Sequence, residues 1–232
     1  MSAALALPGG QRALVLKTLA QPVELRTART LLRLWKDSDL PAWVAMNADA
    51  QVRRYFPTVL SEQDALAEAG RIRENLARRG WGVWALEIPG ALPPIPFAGF
   101  VGLHVPTFEA PFMPTVEMGW RLAPQAWGQG WASEAAAAAA AFGFDALGLQ
   151  ELVAYTTPDN QPSRRVMQRL GMTHKAADDF DHPRMAPGHP MCRHVLYRLT
   201  AQGFAHRSQD AASLHTATEP GGRHNGLPPQ EE

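Results

Sequence analysis

The chain has 232 residues, 22 Lys+Arg against 22 Asp+Glu, 46% hydrophobic residues and one cysteine. That length suits one domain of roughly 150–200 residues with tails, or at most two small domains, and one cysteine excludes a disulfide-framed secreted scaffold. Zero net charge gives no general attraction to nucleic acid or an anionic membrane, and no apolar run approaches the ~18 residues of a membrane span.

The opening residues 1–22 lack a basic stretch, and Pro8-Gly9-Gly10 cuts their apolar run short, so no signal peptide is expected and the chain reads as cytoplasmic. Residues 1–21 have no sustained period and are expected to be a partly disordered extension. Residues 205–232 are polar and rich in Gly, Pro and Ser, with too little apolar surface to repay their ordering entropy, and are expected to be a disordered tail. The folded domain is then 22–204.

Leu31-Leu32-Arg33-Leu34-Trp35 suits a strand, and Asp37 or Ser38 can cap a helix running to about Asn47. Ser61 caps a second helix that Gly80 closes. Trp81–Ile88 and Phe97–Val105 read as paired strands, separated by a proline-rich loop over Pro89–Pro96 that cannot continue a ladder. Thr115–Leu122 alternates apolar Val116, Met118, Trp120 and Leu122 with Glu117, Gly119 and Arg121, as a half-buried strand does. A helix over Gly130–Leu147 contains the run Ala135–Ala141, alanine being the best helix former. A strand at Leu152–Tyr155, a helix over Gln161–Leu170 closed by Gly171, and a strand at Val195–Leu199 complete the chain. Interleaved strands and helices predict an α/β protein with a mixed sheet.

The chemistry concentrates between Glu117 and Glu134, a strand, a glycine-containing turn and a strong helix. The first amides of that helix lack intrahelical partners and its dipole is positive there, while Gly128 and Gly130 leave the backbone bare, so a phosphate can approach without any basic residue. A P-loop is excluded, because no GxxxxGK[ST] is present. A dinucleotide-binding GxGxxG is half met by Gly128 and Gly130, but Ser133 replaces the third glycine, and Glu151 precedes its strand where a ribose ligand should follow it. The remaining pattern, [Gln/Arg]-x-x-Gly-x-[Gly/Ala], is met by Gln125-Ala126-Trp127-Gly128-Gln129-Gly130.

With that pattern the sequence resembles the GCN5-related N-acetyltransferase (GNAT) superfamily, in particular its RimJ/RimL-like branch. The resemblance covers most of 24–202: Glu24–Leu34 is similar to the branch's opening strand, Asn47–Pro57 to its "N-x-D…V-x-x-Y-F-P" segment, Trp127–Ala135 to its pyrophosphate loop, and Asn160-Gln161-Pro162-Ser163 with Leu170-Gly171-Met172 to its "N-x-x-S…L-G-F" segment. It implies the GNAT fold, a central, mostly antiparallel sheet splayed at the cofactor site and flanked by helices. It also implies transfer of acetyl from acetyl-CoA directly to a primary amine, a protein N-terminus or a small amine, in a ternary complex. Leu122, Gln125, Ala126, Trp127, Gly128, Gln129, Gly130, Trp131, Ala132, Asn160, Ser163 and Arg164 would then meet CoA, with the Ser163 hydroxyl protonating the departing thiolate. No nucleic acid, membrane or metal is expected to take part, and the chain is expected to be a monomer or homodimer.

The residues themselves add a base. Aminolysis of a thioester needs a neutral amine, and Glu117, on the strand face opposite the apolar stripe, can take the proton directly or through water. Gly119 permits a bulge that would splay the strand and free an N–H to polarise the thioester carbonyl. Arg164 and Arg165 are basic neighbours of Ser163, and Trp127 could line the cleft. His182, His189, Cys192 and His194 offer zinc donors, but their spacing matches no common zinc pattern, leaving a substrate-facing loop or a surface loop. Two other classes share parts of this pattern: a non-catalytic acyl-CoA-binding module and a nicotinamide-dependent oxidoreductase.

Overall fold

The computed structural model describes residues 3–5 and 14–207. In chain order the strands and helices are β1 (Ala3–Leu5), β2 (Leu14–Leu16), β3 (Leu25–Arg26), β4 (Leu31–Arg33), α1 (Leu40–Ala48), α2 (Glu62–Arg79), β5 (Val83–Ile88), β6 (Ile95–His104), β7 (Glu117–Leu122), α3 (Trp131–Asp145), β8 (Glu151–Thr156), α4 (Gln161–Arg169), β9 (Thr173–His174), β10 (Phe180–Asp181) and β11 (Arg193–Thr200). A last helix occupies residues 201–207. Strands β1 and β2 pair as a separate hairpin; the other nine form one open sheet in the order β10-β11-β8-β7-β6-β5-β4-β3, with β9 also on β11. Every pairing is antiparallel except β7 with β8.

Local chemistry sets the helix ends. The Ser61 hydroxyl accepts from Asp64 N at 3.1 Å to start α2, and Gly80, at φ 77°, ends it with its N–H on Leu76 O. Ala65, Ala69 and Leu76 give α2 one buried stripe. The start of α1 lies later than the sequence predicts. Residues 37–39 form a 3₁₀ turn, because the buried Asp39 carboxylate accepts from Lys36 N at 2.8 Å and pairs with Arg33 at 2.8 Å. In α3 the alanines let helix and sheet approach closely: a Cβ on Gly143 would meet Leu103 Cδ1 at 3.2 Å.

The sheet carries helices on both faces. Phe100 packs on Trp43 of α1, ring centroids 5.9 Å apart, whereas Leu103, of opposite parity in the same strand, packs under α3. Trp43, Trp81 and Trp84 are fully buried, and each indole N–H finds a carbonyl, on Ala65, Lys17 and Val23 respectively.

Three sequence expectations shift. Residues 14–21, assigned to the extension, pack on the domain: Leu16 is buried, and Leu19 N donates to Arg79 O at 2.9 Å. β6 begins at Ile95, so Pro96 lies in a strand, beside the register irregularity at Leu86–Ile88 where a missing N–H is tolerated. The final helix runs past 204, to 207. The expected tail lies outside the described residues from 208 onward. Among the described residues no helix is long and apolar enough to cross a membrane.

Candidate active site

Strands β7 and β8 pair only at Glu117↔Val153, where Val153 N donates to Val116 O at 3.0 Å. Beyond that contact no backbone pairing joins them among the described residues, and the sheet opens. The sequence attributes this splay to a bulge at Gly119, and that is not how it arises. The β6–β7 register runs unbroken from Gly99↔Leu122 to His104↔Glu117. The gap follows instead from two parallel strands joined through α3 and meeting at one end. A Cβ at Gly119 would stand 3.8 Å from His104 Cε1 and 3.9 Å from Phe100 Cε2, ordinary contacts, so this glycine keeps the floor low rather than bending the strand.

At the mouth of the gap stands the N-terminus of α3. Its N-cap is Gly130, at φ 80°, with no side-chain cap. The first intrahelical bond is Glu134 N to Gly130 O, leaving the amides of Trp131, Ala132 and Ser133 without partners among the described residues. Gly128, at φ 78°, has nothing within 4 Å of a built Cβ, and the Ser133 hydroxyl is buried and unpartnered. Donors, a helix dipole and bare backbone therefore converge on one space, and they suit a phosphate.

This loop is braced from a distant part of the chain. Glu134 accepts from Thr27 Oγ1 at 2.6 Å and from Arg29 N at 2.9 Å, and it pairs with Arg29 Nε at 2.5 Å; Arg29 Nη1 also reaches Gln129 O at 3.2 Å. Partial burial pushes the Glu134 carboxyl up, but these hydrogen bonds and the Arg29 charge outweigh it and hold it below the usual range. Sequence reasoning missed the brace, which no local pattern announces. The Trp127 indole is fixed by Nε1 on Leu122 O at 2.7 Å.

One cavity of about 980 Å³ joins cradle and gap. Of the residues expected at the cofactor, Leu122, Ala126, Trp127, Gly128, Gly130, Ala132, Asn160 and Ser163 line it. Gln125, Gln129 and Trp131 are not in its wall, nor is Arg164, which donates to Pro158 O at 3.0 Å and Tyr197 Oη at 3.2 Å. Its neighbour Arg165, with Arg169 one turn on, lines the cavity instead. Asn160 caps α4 by accepting from Ser163 N at 3.2 Å, and its Nδ2 donates to Thr156 Oγ1 at 2.8 Å.

Glu117 is the centre of a second constellation. The cross-strand register sets His104 opposite it, with Nε2 3.0 Å from Glu117 Oε2, and the Tyr155 hydroxyl donates to the same oxygen. Oε1 has no partner among the described residues. Burial acts against a charged His104, but the Glu117 carboxylate more than compensates and raises its pKa. Burial, and then the Glu117 charge, push the Tyr155 phenol well up, so it stays protonated and donating.

The histidine loop completes the wall. His182 and His194 line the cavity with ring centroids 5.1 Å apart, His182 lying 4.6 Å from Phe108 and His194 5.9 Å from Tyr155. Burial lowers both pKa values, and for His182 the His194 charge adds to it. His189 Nδ1 accepts from Met191 N at 3.1 Å. No group of three or more His, Cys, Asp or Glu that could hold a metal exists among the described residues.

The family model described as "Acetyltransferase (GNAT) domain" matches residues 29–173, more than half of the chain. The chain belongs to the GNAT acetyltransferase family. A relative from Bacillus subtilis (strain 168), named "Uncharacterized N-acetyltransferase YnaD", is 30% identical over 151 residues, covering 65% of this chain and 82% of that protein. A GNAT-family acetyltransferase structure from Bacillus anthracis is 25% identical, with a TM-score of 0.62 over 78% of this chain and 99% of that one. A structure titled "Mycobacterium smegmatis RimJ in complex with CoA-disulfide" shares the fold at 22% identity and a TM-score of 0.60, over 82% and 93% of the two chains. The nine-stranded, mostly antiparallel open sheet is the GNAT fold, and the chain is an acyltransferase.

Proposed function

We propose that this GNAT enzyme transfers acetyl from acetyl-CoA to a primary amine in a ternary complex, and that it stands in the RimJ/RimL-like branch. The observation that carries the reading is the single cavity that joins the α3 cradle, through the β7–β8 gap, to the free Oε1 of Glu117.

The residues present fit the co-substrate. The amides of 131–133 and the open space at Gly128 suit a pyrophosphate, and Arg165 and Arg169 supply charge beside it. Bound there, acetyl-CoA supplies a thioester carbonyl, an electrophile without metal or redox chemistry. Glu117 Oε1 receives a proton from the acceptor amine as its lone pair forms the C–N bond, while Tyr155 and His104 keep the carboxylate oriented through Oε2. As the C–S bond breaks, the sulfur takes a proton from the Ser163 hydroxyl, which recovers one from water, and Glu117 releases the amine's proton to water, so both groups return to their starting state. Cys192 is buried in the wall-forming loop and is needed for no step.

Two measurements test this. In binding titrations acetyl-CoA should bind and NAD should not; NAD binding with no affinity for acetyl-CoA would overturn the assignment. Initial velocities with both substrates varied should give intersecting lines, and Cys192→Ser should keep turnover within about twofold; parallel lines would point to a covalent acetyl-enzyme.

A further inference from the structure

The charge of this cavity differs sharply from that of the chain. The whole chain is neutral, yet the wall carries eight arginines, no lysine or aspartate, and two glutamates. Among the described residues only Arg121 of the eight lies within ion-pair distance of a carboxylate, Glu68 at 3.5 Å. Phosphates of the co-substrate account for part of this excess, at the α3 cradle and its neighbours Arg165 and Arg169. They do not account for Arg79 and Arg184, which stand at the other end. Arg79 opposes the charge of His104, and Arg184 acts on Tyr155, and these are the two residues that hold Glu117. The thioester end of an acyl-CoA is uncharged, so it offers neither guanidinium a counter-charge.

Arg184 is exposed and Arg79 half-buried, and each has a neighbour against which its guanidinium rests. Arg79 is half-buried at the C-terminus of α2, its guanidinium 5.6 Å from the Trp81 ring centroid. Burial, then the like charge of Arg78, lower its pKa, a cost that an anion relieves. Arg184 is held by Thr107, whose Oγ1 and carbonyl both accept from Nη2, and it lies 6.0 Å from the Phe108 ring centroid. Both residues line the cavity, neither is within ion-pair distance of a carboxylate among the described residues, and a guanidinium fork can receive a carboxylate or phosphate bidentately.

We propose that the acceptor is an amine that also bears an anionic oxyacid group, a carboxylate or a phosphate, received by Arg184 and Arg79 while the amine lies at Glu117. The site then matches a zwitterion, cation to Glu117 and anion to the arginines, whereas a polyamine or aminoglycoside would meet two unopposed guanidiniums. This rests on the acetyl-transfer reading and names its substrate class.

The test uses matched acceptors with the full-length enzyme: phenylalanine against phenylalaninamide, and O-phosphoethanolamine against ethanolamine, with spermidine as the cation. Thiol release should show kcat/KM about tenfold or more higher for the acidic member of at least one pair, and the better pair tells carboxylate from phosphate. Arg184→Gln should erase that preference by raising KM, with the Kd for acetyl-CoA changed less than about twofold, and Arg184→Lys should recover part of it. Equal or better turnover of the neutral members or of spermidine would overturn the proposal, as would an Arg184→Gln loss confined to acetyl-CoA binding. If no amine is turned over, the acetyl-transfer reading fails by itself. The anion site is then read from the thermal unfolding of the CoA-saturated protein, where phenylalanine or O-phosphoethanolamine should raise Tm only with Arg184 present; no such rise would sink it.

Discussion

A carboxylate that accepts two hydrogen bonds on one oxygen keeps the other for a third donor. In Glu117 both His104 and Tyr155 go to Oε2, which fixes the plane of the group and leaves Oε1 to the cavity. Replacing it by Gln keeps the shape and removes the proton acceptor. Glu117→Gln should therefore lower turnover on the order of 10²-fold, most at low pH where the amine starts protonated, with acetyl-CoA affinity little changed. A pH–rate profile of unaltered shape would remove Glu117 as the base. The same pair has a thermodynamic signature. The folded-state pKa of His104 lies above the unfolded value of about 6.5, so its stabilisation is complete below that pH and is lost as pH rises through the folded value. His182 and His194 are shifted the other way and cost stability on acidification. The informative quantity is thus a difference: wild type minus His104→Gln in Tm should be largest below about pH 6.5 and shrink above it. A difference independent of pH would mean that the imidazole is neutral in the fold. Glu117 as a candidate was legible from strand alternation, but its partners were not, because His104 and Tyr155 come from two other strands and only the register brings them together.

The α3 N-terminus is an element whose proposed role rests on backbone, and its geometry was the most legible part of the candidate site. Its glycines, the following helix former and the preceding strand are contiguous, so every signal is local. The Glu134 brace was illegible for the opposite reason: Thr27 lies 107 residues away. Gly128→Val should weaken acetyl-CoA binding by more than tenfold, because the side chain enters the phosphate space and strains a φ of 78°, a conformation costing roughly 1–2 kcal/mol for an L-residue. Gly188 has φ 80° and equally open surroundings outside the cavity, so Gly188→Val controls for strain alone and should leave affinity unchanged. Equal losses in the two would assign the effect to folding. Glu134→Gln should raise the Kd for acetyl-CoA several-fold in a binding titration by loosening residues 127–130, and Thr27→Val should do so less. An unchanged Kd in both would show that the loop holds itself. Gly119 shows how a correct consequence can follow from a wrong cause. The strands do part, yet the parting comes from topology, which no single glycine encodes.

Over the whole molecule, α/β alternation and the longer strands and helices could be read from apolar periodicity, while the two-residue strands β3, β9 and β10 carry too few side chains to show a period. The composition proved a poor guide to the site. A net charge of zero averages over the surface and hides a cavity in which arginines outnumber carboxylates. The histidine loop was legible as a cluster with two readings, substrate-facing or surface, and the choice between them depends on β10 pairing with β11, which brings His182 and His194 into the cavity wall. These elements form one cavity with a cradle suited to phosphate at one end and a carboxylate at the other, and the central claim is that acetyl crosses between them to nitrogen. The most direct measurement incubates the enzyme with acetyl-CoA and a panel of amines while following free CoA thiol and N-acetylated product together. The account predicts at least one amine for which the two appear in equal amounts, well above hydrolysis, with loss of both in Glu117→Gln. Tight acetyl-CoA binding with no amine raising thiol above background would contradict it.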